Sequence, residues 1–364
     1  MSSGGDGGRE VFASLTGLRF VLAVWIALYH VISLYGPETL GHHPLIMLGS
    51  ARVDVFFVLS GFVLAHIYAV RTGGSFKFWP FLQARIARLY PLHVLGLLML
   101  LGAVGAAYVL GRGADASAYT LEGLLANLFM LQATAIPGSG QWNFPAWTLS
   151  AEFFAYLLFP AFIAIAVMFR GRPLLFLAWC LALVAVIGGL WPLLGNGRLT
   201  EATQVMGIVR GACGVLVGVA ARYAFGAVKW SPGLALGTAV LGAVIAGGAA
   251  VLEAPLWCMS FGGALLIAGL AGLDRLAVKT PLGTPLMQSL GDMSYALFVL
   301  HVPVFVLLTR AMGMVGWSGE LGWLSGSFLM VMAMAVAVMA NRLIEEPARL
   351  AIRAWKPGRK PKLA

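Results

Sequence analysis

The sequence predicts an all-α, polytopic integral membrane protein with about ten transmembrane helices. Of its 364 residues, 60% are hydrophobic and only 10% are charged, and the mean hydropathy is +0.90. Soluble domains carry roughly 25% charged residues. Apolar runs long enough to cross a bilayer, about 20 residues each, recur along the whole length. Water is therefore not the solvent for most of the surface of this chain.

The predicted spans follow from these apolar runs. Core helices of a large soluble protein have a similar length, but polar residues here are confined mainly to the joints between runs, which favours a membrane. The spans are predicted at residues 13–34, 52–70, 89–110, 147–168, 173–194, 204–224, 233–252, 255–273, 287–310 and 320–344.

The positions of lysine and arginine predict the orientation of the helices. Basic residues in short loops are retained on the cytoplasmic side. Most of the 24 basic residues fall in the even-numbered connections and in the C-terminal tail, which predicts that both termini are cytoplasmic. Few basic residues fall on the opposite side: Arg52, Arg112, Arg198 and Arg310. The net charge of +10 is explained by this topology and by attraction to anionic lipid headgroups, and nucleic-acid binding is a poor explanation for it.

The chain is predicted to form one domain in a cell membrane, the bacterial inner or plasma membrane. A polar, disordered N-terminus covers residues 1–12, the transmembrane domain covers 13–349, and a basic cytoplasmic tail covers 350–364. Residues 1–12 lack the pattern of a removable signal peptide, so the first helix is expected to be its own insertion signal. Segments 74–91 and 119–131 are predicted interfacial helices, the first because it mixes aromatic and basic residues.

The cysteines give no sign of a metal site. Cys180, Cys213 and Cys258 all lie within predicted spans, and their spacing is not typical of zinc ligands. We expect inert thiols buried in the membrane, no metal and no tightly bound cofactor.

Two ionisable residues in the first span are candidates for function. Ionisable groups inside a bilayer are costly, and those that persist commonly mark functional sites. Arg19 and His30 are eleven positions apart, so they share nearly the same helix face and lie roughly 16 Å apart along the axis. A guanidinium pairs with phosphate, and a neutral imidazole accepts a proton from a hydroxyl. The alternative interpretation is that Arg19 reaches the headgroups and His30 only bonds a neighbouring helix.

Other polar residues are predicted at similar depth. A buried carboxylate beside a histidine orients its tautomer and stabilises the imidazolium, and Asp54 and Glu152 are the two candidates for that role. Each also has a structural interpretation, because Asp54 can pair with Arg52 or Arg210, and Glu152 can cap the fourth span. Further candidates for a supporting role are Ser60, Arg210, Ser294, Tyr295 and His301.

Arg85 and Arg88 lie three residues apart at the start of the third span and form a potential phosphate clamp as well as a topology signal. The sequence contains no Gly-rich phosphate loop, zinc-type His/Cys cluster or GxSxG elbow beside them. ATP chemistry, metallohydrolases and serine hydrolases are therefore disfavoured. The classes of function that remain are group transfer and transport.

These motifs together resemble the acyltransferase family 3 membrane proteins, which O-acylate sugars and other cell-surface or secreted acceptors. The resemblance runs from about residue 14 to 349. Two departures are Thr148, where a serine is common, and His93, where an aromatic residue is more usual. The matching pieces, in the order of the family, are Leu15–Arg19 with His30, Val53–Phe62, Arg85–Pro91, Pro145–Phe153, Gly291–Pro303 and Glu346-Pro347.

The resemblance implies an acyl-CoA donor, usually acetyl-CoA from the cytoplasm, and a carbohydrate or lipid-linked acceptor hydroxyl often presented at the outer face. Arg19, Arg85 and Arg88 are then expected to hold the nucleotide and pyrophosphate of CoA. His30 is expected to act as the general base, with Asp54 or Glu152 stabilising the imidazolium. A covalent acyl-His30 intermediate is the competing route.

Three other functions stay open at this point. A transporter of anionic or acylated solutes would use the same polar groups to line a passage, although inverted repeats with interrupted helices are not evident. A longer acyl group such as succinyl would need a differently shaped pocket. An inactive lipid-binding or scaffold protein is disfavoured, because five candidate site residues occur together in one chain.

Overall fold

The computed structural model describes residues 11–37, 43, 52–70, 76–111, 119–136, 140, 142–194, 197–314, 316 and 322–355. Within these ranges the chain forms helices and contains no strand, which confirms the predicted all-α fold. Nearly all of the predicted polar N-terminus and most of the basic tail lie outside the described residues.

The helices follow the predicted spans closely. Nine of those in the described part of the chain are long and apolar enough to cross a membrane. The thirteen α-helices of the described residues are numbered as follows: α1 Ala13–Tyr35, α2 Arg52–Leu64, α3 Phe78–Val109, α4 Leu121–Leu128, α5 Trp147–Met168, α6 Pro173–Leu190, α7 Gly207–Ala227, α8 Pro232–Val251, α9 Leu256–Arg275, α10 Pro285–Asp292, α11 Ser294–Met314, α12 Trp323–Ala340 and α13 Glu346–Ala354.

The predicted second span differs from the other nine. Helix α2 has 13 residues and continues into a π-helical segment, Ala65–Val70, so residues 52–70 are helical throughout. Arg52 and Asp54 lie in its first turn and are buried. This helix is therefore packed inside the bundle, which explains how it carries two charged side chains.

Two predicted boundaries were wrong. The third span was predicted to begin at residue 89 after an interfacial helix in segment 74–91, whereas α3 begins at Phe78 and runs without a break over 32 residues, including Pro91. At 1.5 Å per residue it is about 48 Å long, so its first turns extend beyond a hydrocarbon core of about 30 Å. The predicted span 287–310 is instead two helices, α10 and α11, separated at Met293.

The centre of the bundle is built from the two long helices whose surfaces are mostly buried. Most of α7 and α9 is buried, whereas α6, α8 and α12 expose most of their apolar side chains, as helices facing lipid do.

Helices α2 and α7 cross in close contact at glycines. A Cβ on Gly61 would overlap the carbonyl oxygen of Val215, and one on Gly218 would overlap that of Val58. Small residues at such crossings bring membrane helices close together.

The cysteines are confirmed as helical residues. Cys180 and Cys213 are buried in α6 and α7, and Cys258 is half-buried in α9.

Candidate active site

Three arginines line a cavity of about 190 Å³ beside the N-terminal half of α1, called here the arginine cavity. Helices α1, α2, α3, α5 and α11 surround it, and apolar side chains of α2 form much of the remaining wall. Its polar lining consists of Arg19, Ser60, Arg85, Arg88, Thr148, Glu152, Tyr156, Ser294 and Tyr295.

Helical spacing explains why these side chains meet. Arg85 and Arg88 are three apart on α3, and Glu152 and Tyr156 are four apart on α5, so each pair shares one helix face. The guanidinium of Arg85 lies 5.9 Å from the ring centroid of Tyr156. One of the terminal nitrogens of Arg85 donates a hydrogen bond of 3.2 Å to the hydroxyl of Tyr68. The two helices therefore present a cationic face and a carboxylate–phenol face to the same space.

Aromatic side chains hold the arginines in position. The guanidinium of Arg88 lies 5.6 Å from the ring centroid of Tyr295, whose hydroxyl donates to the carbonyl oxygen of Leu89 at 2.8 Å. The Nε atom of Arg85 is buried and bonds to none of the described residues. A buried donor of this kind needs a partner, and an acceptor atom of a bound ligand supplies one.

The arginine cavity is positively charged. Arg19, Arg85 and Arg88 are close enough to repel one another, and Glu152 is the carboxylate that lines the same space. The carboxylate of Glu152 accepts a hydrogen bond from the hydroxyl of Ser60. Three guanidinium groups against the carboxylates of Glu152 and the nearby Glu345 still leave an excess of positive charge in a site of low dielectric, where it favours an anionic ligand.

A second cavity, of about 220 Å³, adjoins the first and is called the histidine cavity. His30 lies in its wall. Val53, Thr148 and Phe298 line both cavities, so the two spaces share one partition. Its full lining is Ile26, Tyr29, His30, Val53, Phe144, Pro145, Trp147, Thr148, Thr203, Gln204, Arg210 and Phe298.

His30 is paired with His301 of α11. Nδ1 of His30 lies 2.7 Å from Nε2 of His301, and the two rings are nearly parallel, at 7°. Nδ1 of His301 lies 3.1 Å from the carbonyl oxygen of Leu297, which only accepts hydrogen bonds. A neutral His301 therefore carries its proton on Nδ1 and accepts through Nε2. The proton of a neutral His30 is then on Nδ1, and its Nε2 has a free lone pair.

The family model for the acyltransferase domain matches residues 12–342. The chain belongs to acyltransferase family 3. Acyltransferase MdmB of Streptomyces mycarofaciens is 29% identical over 91% of this chain and 89% of its own length. Exopolysaccharide production protein ExoZ of Rhizobium meliloti is 27% identical over 86% of this chain and 93% of its own length. No solved structure matches the chain with comparable significance.

In this family 3 acyltransferase, His30 is not paired with a carboxylate, although Asp54 or Glu152 was the expected partner. Asp54 forms a bidentate salt bridge with Arg210, with distances of 2.7 Å and 2.9 Å, and both side chains are buried. Glu152 lies in the arginine cavity and bonds to Ser60. The expected contact of either carboxylate with His30 is therefore replaced by the contact with His301. The reason is that a buried carboxylate needs a cation, and Arg210 satisfies both oxygens of Asp54.

The structure brings the candidates of this acyltransferase together in two groups. Arg19, Ser60, Arg85, Arg88, Glu152, Ser294 and Tyr295 line the arginine cavity, and His30 and Arg210 line the histidine cavity. His301 lies behind His30, and Asp54 lies behind Arg210. Ser294 donates to the carbonyl oxygen of Gly291, at the break before α11.

Four polar residues near the cavities were missed by the sequence reasoning. Tyr156 was detectable, because it lies one turn after Glu152. Glu345, whose carboxylate is buried, accepts from Asn341 at 2.9 Å and is close enough to Arg88 to stabilise its charge. It adjoins the Glu346-Pro347 motif, and the glutamate of that motif is exposed. Thr203 lies in a connection, and Gln204 was assigned to the start of the predicted span 204–224, whereas the structure begins α7 at Gly207.

Proposed function

We propose that the protein is an acyl-CoA-dependent O-acyltransferase. It moves an acyl group, acetyl in the simplest case, to a hydroxyl of a sugar, polysaccharide or lipid-linked acceptor. The observation that carries this proposal is the shared partition between a cationic cavity and a cavity with a histidine base in its wall. An acyl donor that is anionic at one end and reactive at the other fits this pair of cavities.

The arginine cavity is the proposed entry for the donor. Arg19, Arg85 and Arg88 pair with the phosphate oxygens of CoA, and the buried Nε of Arg85 gains an acceptor. His30 lies eleven residues beyond Arg19 on α1, about 16 Å along the helix. The extended pantetheine arm of CoA has a comparable reach, so it brings the thioester past Thr148 to the histidine.

His30 is the proposed general base. Its Nε2 takes the proton of the acceptor hydroxyl, and the oxygen attacks the thioester carbonyl carbon. The new carbon–oxygen bond forms, the carbon–sulfur bond breaks, and the CoA thiolate receives the proton from the imidazolium. Throughout these steps the Nδ1–H of His30 stays bonded to Nε2 of His301.

An acyl-histidine route uses the same atoms in a different order. Nε2 of His30 attacks the thioester directly, and the acceptor hydroxyl then attacks the acyl-imidazole. Rapid quenching after mixing with radiolabelled acetyl-CoA distinguishes the two routes. Only the acyl-histidine route gives hydroxylamine-sensitive label on the protein before an acceptor is added.

The names of the relatives support acyl transfer, and one of them suggests a polysaccharide acceptor. One is named an acyltransferase and another an exopolysaccharide production protein. With both termini cytoplasmic in a bacterial cell membrane, the arginine cavity faces the cytoplasmic supply of acyl-CoA. The histidine cavity, further along α1, faces the outer side.

The test compares acetyl-CoA binding and CoA release by the purified protein in nanodiscs. His30→Ala is expected to bind acetyl-CoA with unchanged affinity and to lose turnover. The double variant Arg85→Ala/Arg88→Ala is expected to weaken binding by at least about tenfold, since each charge-assisted contact contributes more than 1 kcal/mol. Arg172→Ala is the matched control, because this arginine is exposed in the connection before α6.

Charge-conserving Arg85→Lys guards against a folding defect in the double variant and is expected to retain part of the binding. If the wild-type protein neither binds nor turns over acetyl-CoA, the acyl-CoA mechanism fails and transport of an anionic solute becomes the leading hypothesis.

A further inference from the structure

The histidine cavity combines aromatic faces with uncharged hydrogen-bonding groups. Tyr29 and Trp147 offer ring surfaces, and Thr203 and Gln204 offer a hydroxyl and an amide. Aromatic faces pack against the C–H faces of a saturated ring, and amides and hydroxyls both donate and accept hydrogen bonds. This lining suits a compact ring that carries several hydroxyl groups.

The charges of the two cavities differ in a way that separates their ligands. In the arginine cavity three guanidinium groups outnumber the carboxylate of Glu152 in the lining and that of Glu345 beside Arg88. In the histidine cavity the cationic lining residue is Arg210, and Asp54 binds it through both carboxylate oxygens. An anionic ligand there would have to compete with Asp54 for the guanidinium. The histidine cavity therefore favours an uncharged ligand.

Gln204 is held in place at this cavity by contacts with a neighbouring segment. Its side-chain amide nitrogen donates to the carbonyl oxygen of Gly140 at 3.4 Å, and its backbone carbonyl oxygen accepts from the backbone N–H of Ala135 at 3.0 Å. A Cβ at Gly140 would overlap the side-chain amide of Gln204. The amide is thus fixed beside the cavity and is able to select the orientation of a ligand.

We propose that the histidine cavity is the acceptor site and that it takes an uncharged, polyhydroxylated ring such as a neutral sugar residue, with Thr203 and Gln204 orienting it. This inference rests on the proposed acyl transfer by His30. In the transfer, a ring hydroxyl loses its proton to Nε2 of His30, its oxygen bonds the acyl carbon, and CoA leaves as the thiol after taking that proton.

A tethered acceptor tests the site without knowledge of the natural substrate. Thr203→Cys in the full-length protein is labelled with a methanethiosulfonate derivative of glucose, and radiolabelled acetyl-CoA is added. The sugar is expected to acquire acetyl, and the additional change His30→Ala should abolish the reaction. Gln204→Cys provides a second attachment point if the first variant folds poorly. Thr200→Cys, three residues away and outside the cavity lining, is the matched control, and protein without a new cysteine reports labelling of the three native thiols.

Two further tethers test the chemical class. A glucuronate tether adds a carboxylate to the same ring, and a cyclohexyl tether removes the hydroxyls. We expect the glucuronate to be acetylated at least about tenfold more slowly than glucose, and the cyclohexyl tether not at all. Equal rates for glucose and glucuronate would overturn the preference for an uncharged ring. Equal labelling at positions 200 and 203 would overturn the location of the site.

The outcomes separate this inference from the proposed function. If acetyl-CoA binds and is turned over in a His30-dependent way, but neither tether inside the cavity is acetylated, the acceptor site lies elsewhere and the acyltransferase mechanism stands. If acetyl-CoA is not bound at all, both proposals fail together.

Discussion

Nδ1 of His30 and Nε2 of His301 are 2.7 Å apart, and His301 itself is fixed by the carbonyl oxygen of Leu297. Because that oxygen accepts only, the chain of hydrogen bonds has one direction, from His30 through His301 to the backbone of α11. An imidazole thus occupies the place that a carboxylate holds in a Ser-His-Asp triad. It orients the base without adding a negative charge.

This direction predicts different effects for two substitutions of His301. His301→Gln keeps an acceptor oxygen for Nδ1–H of His30 and should retain a substantial part of kcat. His301→Leu removes the acceptor, frees the ring of His30 to turn and to change tautomer, and should lower kcat by about 100-fold, as expected for a misplaced general base. The KM for acetyl-CoA should stay unchanged in both variants, because the arginines bind the donor. Steady-state CoA release measures both constants.

A purely structural role of His301 gives a different pattern. Both variants would then lose thermal stability in parallel with activity, and glutamine would rescue nothing. Equal kcat values for the leucine variant and the wild type would contradict the orienting role.

The buried ion pair between Asp54 and Arg210 predicts an asymmetric response to mutation. Asp54→Asn leaves the guanidinium buried without its counter-charge and should destabilise the fold by about 3–5 kcal/mol. The double change Asp54→Leu/Arg210→Met removes both charges and should be less destabilising than the single one. The unfolding temperatures of the two variants and the wild type are compared in detergent, with tryptophan fluorescence as the signal of unfolding.

The exposed pair between Arg198 and Glu253 is the matched control for that experiment. Glu253→Gln should change the unfolding temperature only slightly, because exposed ion pairs contribute little. A similar loss in Glu253→Gln and Asp54→Asn would show that burial does not govern the effect.

Hydropathy and helical spacing predict most of this fold. The ten predicted spans correspond to helical segments, since apolar length alone marks a membrane helix, and spacing places Arg85 and Arg88 on one face. The break at Met293 was missed, although the polar Gln288 and Asp292 and the intervening Gly291 just before it are signals of an interrupted span.

The pairing of helices is the part that the sequence does not reveal. His30 and His301 are separated by 271 positions, and Asp54 and Arg210 by 156, so their contacts depend on how the helices pack. A carboxylate was the expected partner of His30 because of its chemistry, but Asp54 was also expected as a partner of Arg210. Only the crossing of α2 and α7 decides between the two.

Acidification is predicted to loosen the connection that carries Thr203 and Gln204. Hydrogen bonds from the backbone N–H and the guanidinium of Arg198 lower the pKa of Glu201. A carboxyl group whose pKa is lowered by folding contributes stability above its ordinary pKa, and this contribution is lost as the pH falls through the lowered value. The rate of amide hydrogen exchange at Ala202, corrected for the intrinsic rate, should therefore increase at pH values below the ordinary pKa of glutamate.

Glu201→Gln controls for this effect. The variant should show the faster exchange at neutral pH and no further acceleration on acidification. If exchange in the wild type stays constant into the acidic range, the ion pair does not hold the connection.

The crossing of α2 and α7 gives the last prediction. Gly61→Ala places a methyl group against the carbonyl oxygen of Val215, so the helices must separate. The change should lower the unfolding temperature, and activity with it, because α2 carries Ser60 to the arginine cavity. Gly237→Ala is the matched control, since nothing lies within 4 Å of the added methyl group and alanine favours a helix by up to about 1 kcal/mol. Equal unfolding temperatures for these two variants would refute the close crossing as the reason for glycine at position 61.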